Sequence, residues 1–545
     1  MAKNQSKKNI GELNKIKPPG RNLKNVTSID NYPLIKKYFW IIIPLLTVIY
    51  YLSSKYSVGF YQDDEIGHYT NMKEFWTDPF VILGNWSKPG YKVFMVVPSL
   101  FGYQAVIFFN SLIASITVYL TYLLIKVYNI KYPFFGALLL AFQPLFFDLS
   151  FRSYAEIFTA LLFVLMILLY KKEMYFLCGL VCGYIFTVRQ EIVLIGIILA
   201  VIFLFKKNYL AIIAIGIFPL LFNFLGYLKS GDILYVLTEM NTLGAMDFGG
   251  ANRGFFHYFK AYIFIVGPIT LSLFLLGFFG FLSDTKKIRG YFKNYDLPFI
   301  VFTLTFLVQA MLMVKGTNPG TWRYLLHISP LAAFFATIGL NNLAFPGFKK
   351  INYIITGIFL MFTLAVLSRT TNGLDLTEIS EYGKFATVGI FFVLSMILYS
   401  NDSSAYLNKL SLILLVLSGI YLFITFEPRK LSAENLTVKQ IGEYLTNPSL
   451  MDKKIYITSQ TTSPILLFGD VSSERKKNFI HLNSDNLSKS AKGDLIIWDS
   501  HYGYRPEYKN DVKLEELQKD TNFKTLTQFT SGDKRYQAFV FEKKN

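Results

Sequence analysis

Between Phe39 and Phe426 long apolar runs recur, separated by short polar or basic breaks. Phe39–Ser54, Val193–Phe205 and Ile263–Leu282 are three of them. A segment that crosses a bilayer needs about 20 mainly apolar residues, and fewer where flanking groups snorkel. Inside lipid each backbone amide must be satisfied by its own segment, so such runs fold as helices. Of the 545 residues 53% are apolar and only 17% are charged, against about 25% charged in soluble domains. The runs predict thirteen spans, at 39–54, 103–125, 133–149, 156–170, 174–189, 191–205, 209–228, 259–282, 297–314, 324–344, 352–368, 386–400 and 410–426.

The positive charge orients them. The net charge of +18 would suggest nucleic acid in a soluble protein. Here the positive-inside rule accounts for it, and no nucleic-acid partner is expected. Residues 1–38 hold nine Lys/Arg against Glu12 and Asp30, and read as a cytoplasmic basic tail lying on anionic lipid. Lys126 and Lys131, Lys171 and Lys172, Lys206 and Lys207, the group Lys286, Lys287, Arg289 and Lys293, and the pair Lys349 and Lys350 fall at alternate breaks. The last inner loop, 401–409, offers only Lys409 against Asp402. With the N-terminus inside and an odd count, the C-terminus lies outside, in a plasma or inner membrane. No cleavable signal peptide is apparent. Cys178 and Cys182, interleaved with Gly179 and Gly183, form a small-residue helix face suited to close packing rather than to redox or metal chemistry.

The long segments lie on the predicted outer side. The first outer loop, 55–102, has 48 residues, and another runs from Lys229 to Tyr258. Long ordered loops are more often functional than connective. Residues 39–426 form a transmembrane domain, and residues 427–545 are polar, with strand-like runs at Lys454–Thr458, Asp494–Trp498 and Tyr536–Glu542. The expected architecture is a polytopic α-helical membrane protein of about thirteen transmembrane helices with a small C-terminal extracytoplasmic α/β domain.

The chemistry concentrates in Tyr61-Gln-Asp-Asp-Glu-Ile-Gly-His68. Asp63, Asp64 and Glu65 repel one another, which raises at least one pKa unless a cation, a donor hydroxyl or a basic side chain intervenes. A solvated acidic turn is the plain alternative. His68 is a candidate cation contact or a hydrogen-bonded loop residue. Lys88-Pro-Gly-Tyr91 reads as a turn holding Lys88 at the interface, where it could grip a lipid phosphate or simply snorkel. Arg152, Arg189 and Arg323 sit at predicted outer helix ends, where ionisable groups are functional candidates. Arg152 with Asp148 or Glu156, and Arg189 with Glu191, are also possible structural ion pairs. Arg323 has no acidic neighbour in sequence, which makes it the best of the three for a phosphate.

These features resemble the GT-C superfamily of polyprenyl-phosphate-sugar-dependent glycosyltransferases, in particular its protein mannosyltransferase and aminoarabinose transferase branches. The matching residues are Asp64 and Glu65, Lys88 and Pro89, Arg152, and the run Arg323-Tyr-Leu-Leu-His-Ile-Ser-Pro330. The second Pro of the family's Lys-Pro motif is Gly90 here, and Arg189-Gln-Glu191 looks more like the mannosyltransferases of lipid-linked glycan assembly. The resemblance implies an inverting transfer from a polyprenyl-phosphate sugar to a hydroxyl of a glycan, lipid or protein. Asp64 would be the base, with Asp63 as runner-up and Glu65 orienting the acceptor or a cation. Lys88 and Arg323, with Arg152 and Arg189, would bind the phosphate. His68, Glu191 and Tyr324 are possible acceptor or cation contacts. The metal requirement is open, a divalent cation being possible. Two other classes compete: a secondary transporter, which predicts midplane charges and an internal repeat, and a non-catalytic envelope-assembly protein.

Overall fold

Pro and Gly punctuate the apolar sequence and set where its helices begin and bend. In the computed structural model of the protein the described residues are 37–62, 64–84, 88–245, 253–283, 288–343, 370–371, 376–377, 405–469 and 471–544. We number the helices α1 Ile42–Tyr56, α2 Asp64–Glu74, α3 Pro89–Ser99, α4 Tyr103–Val127, α5 Pro133–Ala141, α6 Pro144–Ser150, α7 Ala155–Lys171 and α8 Tyr175–Val188. Then follow α9 Val193–Phe205, α10 Tyr209–Ser230, α11 Tyr235–Gly244, α12 His257–Val266, α13 Pro268–Phe278, α14 Ile288–Val314, α15 Ser329–Asn342 and α16 Ala405–Thr425.

Among the described residues six helical segments are long and apolar enough to cross a membrane, or eight if each bent pair counts as one span. The expected single spans at 133–149 and 259–282 are those bent pairs, with bends of 65° and 115°. Pro144 causes the first: Gln143 before it is extended, at ψ 128°, because the proline ring disfavours helical backbone in the preceding residue. Gly267, at φ 83°, followed by Pro268, causes the second. The expected spans at 352–368 and 386–400 lie outside the described residues. Helices α8 and α9, of 14 and 13 residues, are short and meet through a 3-10 turn at Gln190–Ile192.

Apolar side chains cover the outside as well as the inside. Ile213, Leu220 and Phe224 on α10 and Leu45, Val48 and Leu52 on α1 are exposed, a pattern that suits lipid as the surrounding medium. Where α8 crosses α10, a Cβ on Gly179 would sit 2.3 Å from the Ala211 carbonyl oxygen, and one on Gly183 2.4 Å from that of Ile215. The small-residue face is thus a backbone-to-backbone contact, and Cys178 and Cys182 are buried free thiols beside it.

The last α/β unit starts with α17 (Ala433–Leu445) and a five-stranded sheet with α18 (Ser459–Phe468) against it. Its strands are β1 Ile455–Ile457, β2 Phe479–His481, β3 Leu495–Asp499, β4 Phe523–Thr530 and β5 Gln537–Lys543, in spatial order β2-β1-β3-β5-β4. Strands β1, β2 and β3 are parallel, and β5 runs antiparallel to both β3 and β4. Alternate side chains feed two cores: Ile455, Ile457, Ile497 and Val540 on one face, Tyr456, Ile496 and Phe541 on the other. The unit docks on the first loop. Lys476 pairs with Glu74 on α2, the Phe60 and Phe468 rings lie 6.1 Å apart, and the Gly59 amide donates to the Arg429 carbonyl at 2.9 Å. This docking covers one end of the helical bundle and forms the roof of the candidate site.

Candidate functional site

The acidic loop folds so that its carboxylates face different partners. Asp64 and Glu65 occupy the first turn of α2, where the positive end of the helix favours them. Glu65 points inward and is buried. It accepts from the Tyr61 amide at 2.6 Å and the Tyr103 hydroxyl at 3.3 Å, with Arg152 at 3.7 Å. Burial raises its pKa, and the Arg152 charge opposes that rise. Asp64 is a quarter exposed and forms an ion pair with Arg323. Asp63 lies outside the described residues. His68 is buried, its ring edge-on to Tyr91 and Tyr154 at 6.1 and 6.3 Å, and burial followed by Lys92 lowers its pKa well below the usual range.

Arg323 lies on a 3-10 turn, Trp322–Ile328, in front of α15. Sequence offers it no acidic neighbour, but the fold gives it Asp64 from 259 residues away and Glu156 at 3.8 Å. Its guanidinium also lies over the rings of Tyr154 and Tyr324, at 4.7 and 5.2 Å. Arg189, the extended residue after α8, pairs with Glu156 at 2.8 Å and Glu191 at 3.3 Å and shares the Tyr324 ring at 5.0 Å. Glu191 in turn accepts from Gln309 at 3.1 Å. Two arginines, three carboxylates and two tyrosines thus form one continuous cluster.

Arg152 does something else. It binds Asp148 at 3.1 Å, the Ser57 hydroxyl at 2.7 Å and the Gly59 carbonyl at 2.5 Å. Asp148 also receives Arg429 at 3.0 Å. Every face of this guanidinium is occupied by protein, so Arg152 braces the first loop against the α/β unit. Of the two ion-pair partners expected for it, Asp148 binds it and Glu156 binds Arg189 instead.

Lys88 is not in a turn: it caps α3 in the left-handed region, at φ 52°, and Pro89 begins the helix. That backbone is uncommon for a lysine. A Cβ on Gly90 would lie 2.1 Å from the Thr187 hydroxyl and 2.8 Å from Val188. A proline at 90, the family's residue, would meet the same wall, which gives the departure a steric reason. The Tyr184 hydroxyl donates to the Gly90 carbonyl at 2.7 Å and fixes the contact.

One turn further, Lys92 is buried, with 1% of its surface exposed. Its Nζ donates to the Asn71 amide oxygen at 2.8 Å once that amide is oriented to satisfy both its ends. Sequence reading passed over this residue. The available signal was a lysine four residues after Lys88 inside an otherwise apolar stretch. Burial, then Arg189, lowers the Lys88 pKa to about 8. Burial, then Lys88, lowers that of Lys92 to about 7. Among the described residues no group of three or more His, Cys, Asp or Glu side chains could hold a metal ion.

No family model matches the sequence, and no curated protein does. Two solved structures do share its architecture. ArnT from Cupriavidus metallidurans bound to undecaprenyl phosphate aligns over 93% of this chain and 98% of its own, with a TM-score of 0.57 at 10% identity. Its apo state aligns over the same shares, with a TM-score of 0.56 at 10% identity. The chain shares the fold of ArnT. The alignment covers 93% of the chain, and so spans both the helical bundle and the α/β unit. The apolar helices, six to eight of them long enough to span among the described residues, support an integral membrane protein.

Proposed function

We propose that the protein is an inverting glycosyltransferase that moves a sugar from a polyprenyl-phosphate donor to an acceptor hydroxyl on the outer face of the membrane. The observation that carries this reading is the Asp64–Arg323 ion pair in the cluster under the α/β unit, in a fold shared with a protein that binds undecaprenyl phosphate. On this reading the N-terminal tail is cytoplasmic and the α/β unit extracytoplasmic, as the basic loops require.

Lys88 and Arg323 hold the donor's phosphate. Asp64 takes the proton of the acceptor hydroxyl as its oxygen attacks the anomeric carbon. The bond from that carbon to the phosphate oxygen breaks, and the phosphate leaves with both electrons, stabilised by the two cations. A single displacement inverts the anomeric centre. Asp64 and Arg323 hold each other. A phosphate competes for Arg323 and frees the carboxylate, which couples donor binding to activation of the base. Asp63, the next carboxylate along, is the second candidate base. Glu65 positions the loop from its buried place, Arg189 and Glu191 hold Tyr324 and Arg323 in line, and His68 packs the wall.

The test is sugar transfer by the purified protein from polyprenyl-phosphate sugars, with Asp64→Asn and Asp63→Asn alongside. Full turnover in both variants sinks the base assignment.

A further inference from the structure

Arg152, Arg189 and Arg323, the buried arginines in and beside the cluster, each face a carboxylate within 4 Å: Asp148, Glu156 and Asp64 in turn. Lys92 does not. It is as buried as they are, and among the described residues its hydrogen-bond partner is the neutral Asn71. Buried lysines are rare without a counter-charge, because desolvating an ammonium costs several kcal/mol on the order of the ion-pair gain itself. Lys88 repels it and Asp64 attracts it, and among the described residues no carboxylate forms an ion pair with it. Lys88 likewise makes no ion pair among the described residues. Lys88 caps α3 and Lys92 lies in the first turn of the same helix. An apolar residue at 92 would fit the surrounding core at lower cost. The two ammonium groups are therefore placed for an anion that the empty protein does not supply.

We infer that Lys92 is a second lysine for the donor's phosphate, closing with Lys88 a two-lysine clamp on one helix opposite Arg323. The inference rests on the polyprenyl-phosphate reading given above and adds a residue to its binding site. A phosphate with several acceptor oxygens bridges two ammonium groups that otherwise repel. It removes the repulsion and supplies the missing counter-charge together. Asn71 holds the Lys92 ammonium in place until the donor arrives. The clamp also divides the labour of the site: Arg323 answers to Asp64, while the lysines answer only to the ligand.

The test uses full-length protein in nanodiscs, with undecaprenyl phosphate as the probe and Lys92→Met and Lys92→Gln as variants. Two quantities are read: affinity for the probe, and melting temperature with and without it. The expected result is at least about tenfold weaker binding in both variants, the loss of one charge-assisted contact. Without the probe, the Lys92→Met protein melts at or above the wild-type temperature, and its stabilisation by the probe shrinks. Unchanged affinity in both variants, with the wild type binding, overturns the clamp and leaves the proposed function standing. Loss of fold in both variants also overturns it, since the charge would then be needed by the empty protein. If the wild type binds no undecaprenyl phosphate, the donor reading falls and the clamp with it.

Discussion

Arg323 and Asp64, 259 residues apart in the chain, form an ion pair at the end of the bundle roofed by the α/β unit. The pair brings the first loop and the turn before α15 into one site. In the proposed reaction it is also the resting state that the donor opens. Asp64→Asn should keep donor binding and lower turnover by about 10²- to 10⁴-fold, the usual worth of a positioned base. Steady-state rates with matched binding curves check this, and a loss confined to donor affinity argues against the role.

Arg152 makes a contrasting prediction. Its partners are Asp148, Glu65, Ser57 and Gly59, all within the protein. Arg152→Met leaves the buried Glu65 without its cation and Asp148 with Arg429 alone, and should destabilise the protein by about 3–5 kcal/mol. Thermal unfolding in detergent is the measurement. Lower donor affinity at unchanged stability would return Arg152 to the phosphate.

Gly90 is defined by a wall rather than by a turn. A methyl group there would overlap the Thr187 hydroxyl at 2.1 Å. Gly90→Ala should shift α3 and cost about 1–3 kcal/mol, with donor affinity falling because Lys88 moves with the helix. Pairing it with Thr187→Ala should recover part of both losses; no recovery contradicts the contact.

The two lysines give the site a pH signature. Lys88 sees Arg189, Glu191, Glu156 and Arg323, while Lys92 sees Lys88 and Asp64 beside His68. Their pKa values of about 8 and about 7 lie below the unfolded value of 10.5. Between those limits the unfolded chain holds more protons, so the stability of the empty protein rises with pH through that window. Phosphate binding needs the charged lysines and should run the other way, strongest near pH 6.5 and weaker by pH 9. Melting temperature and probe affinity, each measured across that range, give the two slopes.

The fold was legible where one physical signal dominates. The apolar runs predicted a helical membrane architecture because lipid tolerates little else, and six to eight of the helices among the described residues are long and apolar enough to span. The bends at Pro144 and Gly267 were hidden, since runs such as Ile263–Leu282 stay apolar straight through them. The site was legible where residues sit close in sequence, as with Asp64 and Glu65. It was not where the partner comes from far away: Arg323 carries no local trace of Asp64, and Arg152 none of Gly59. Lys92 was missed for another reason. A single lysine in an apolar run reads as snorkelling until the helix is seen to turn it inward.

The most direct measurement is transfer itself. Purified protein is given a labelled panel of undecaprenyl-phosphate sugars and envelope material from a strain lacking the protein. The account predicts label in that material, undecaprenyl phosphate released in equal amount, and an inverted anomeric linkage, all lost in Asp64→Asn. No transfer from any donor in the panel, or transfer with retained configuration, would contradict it.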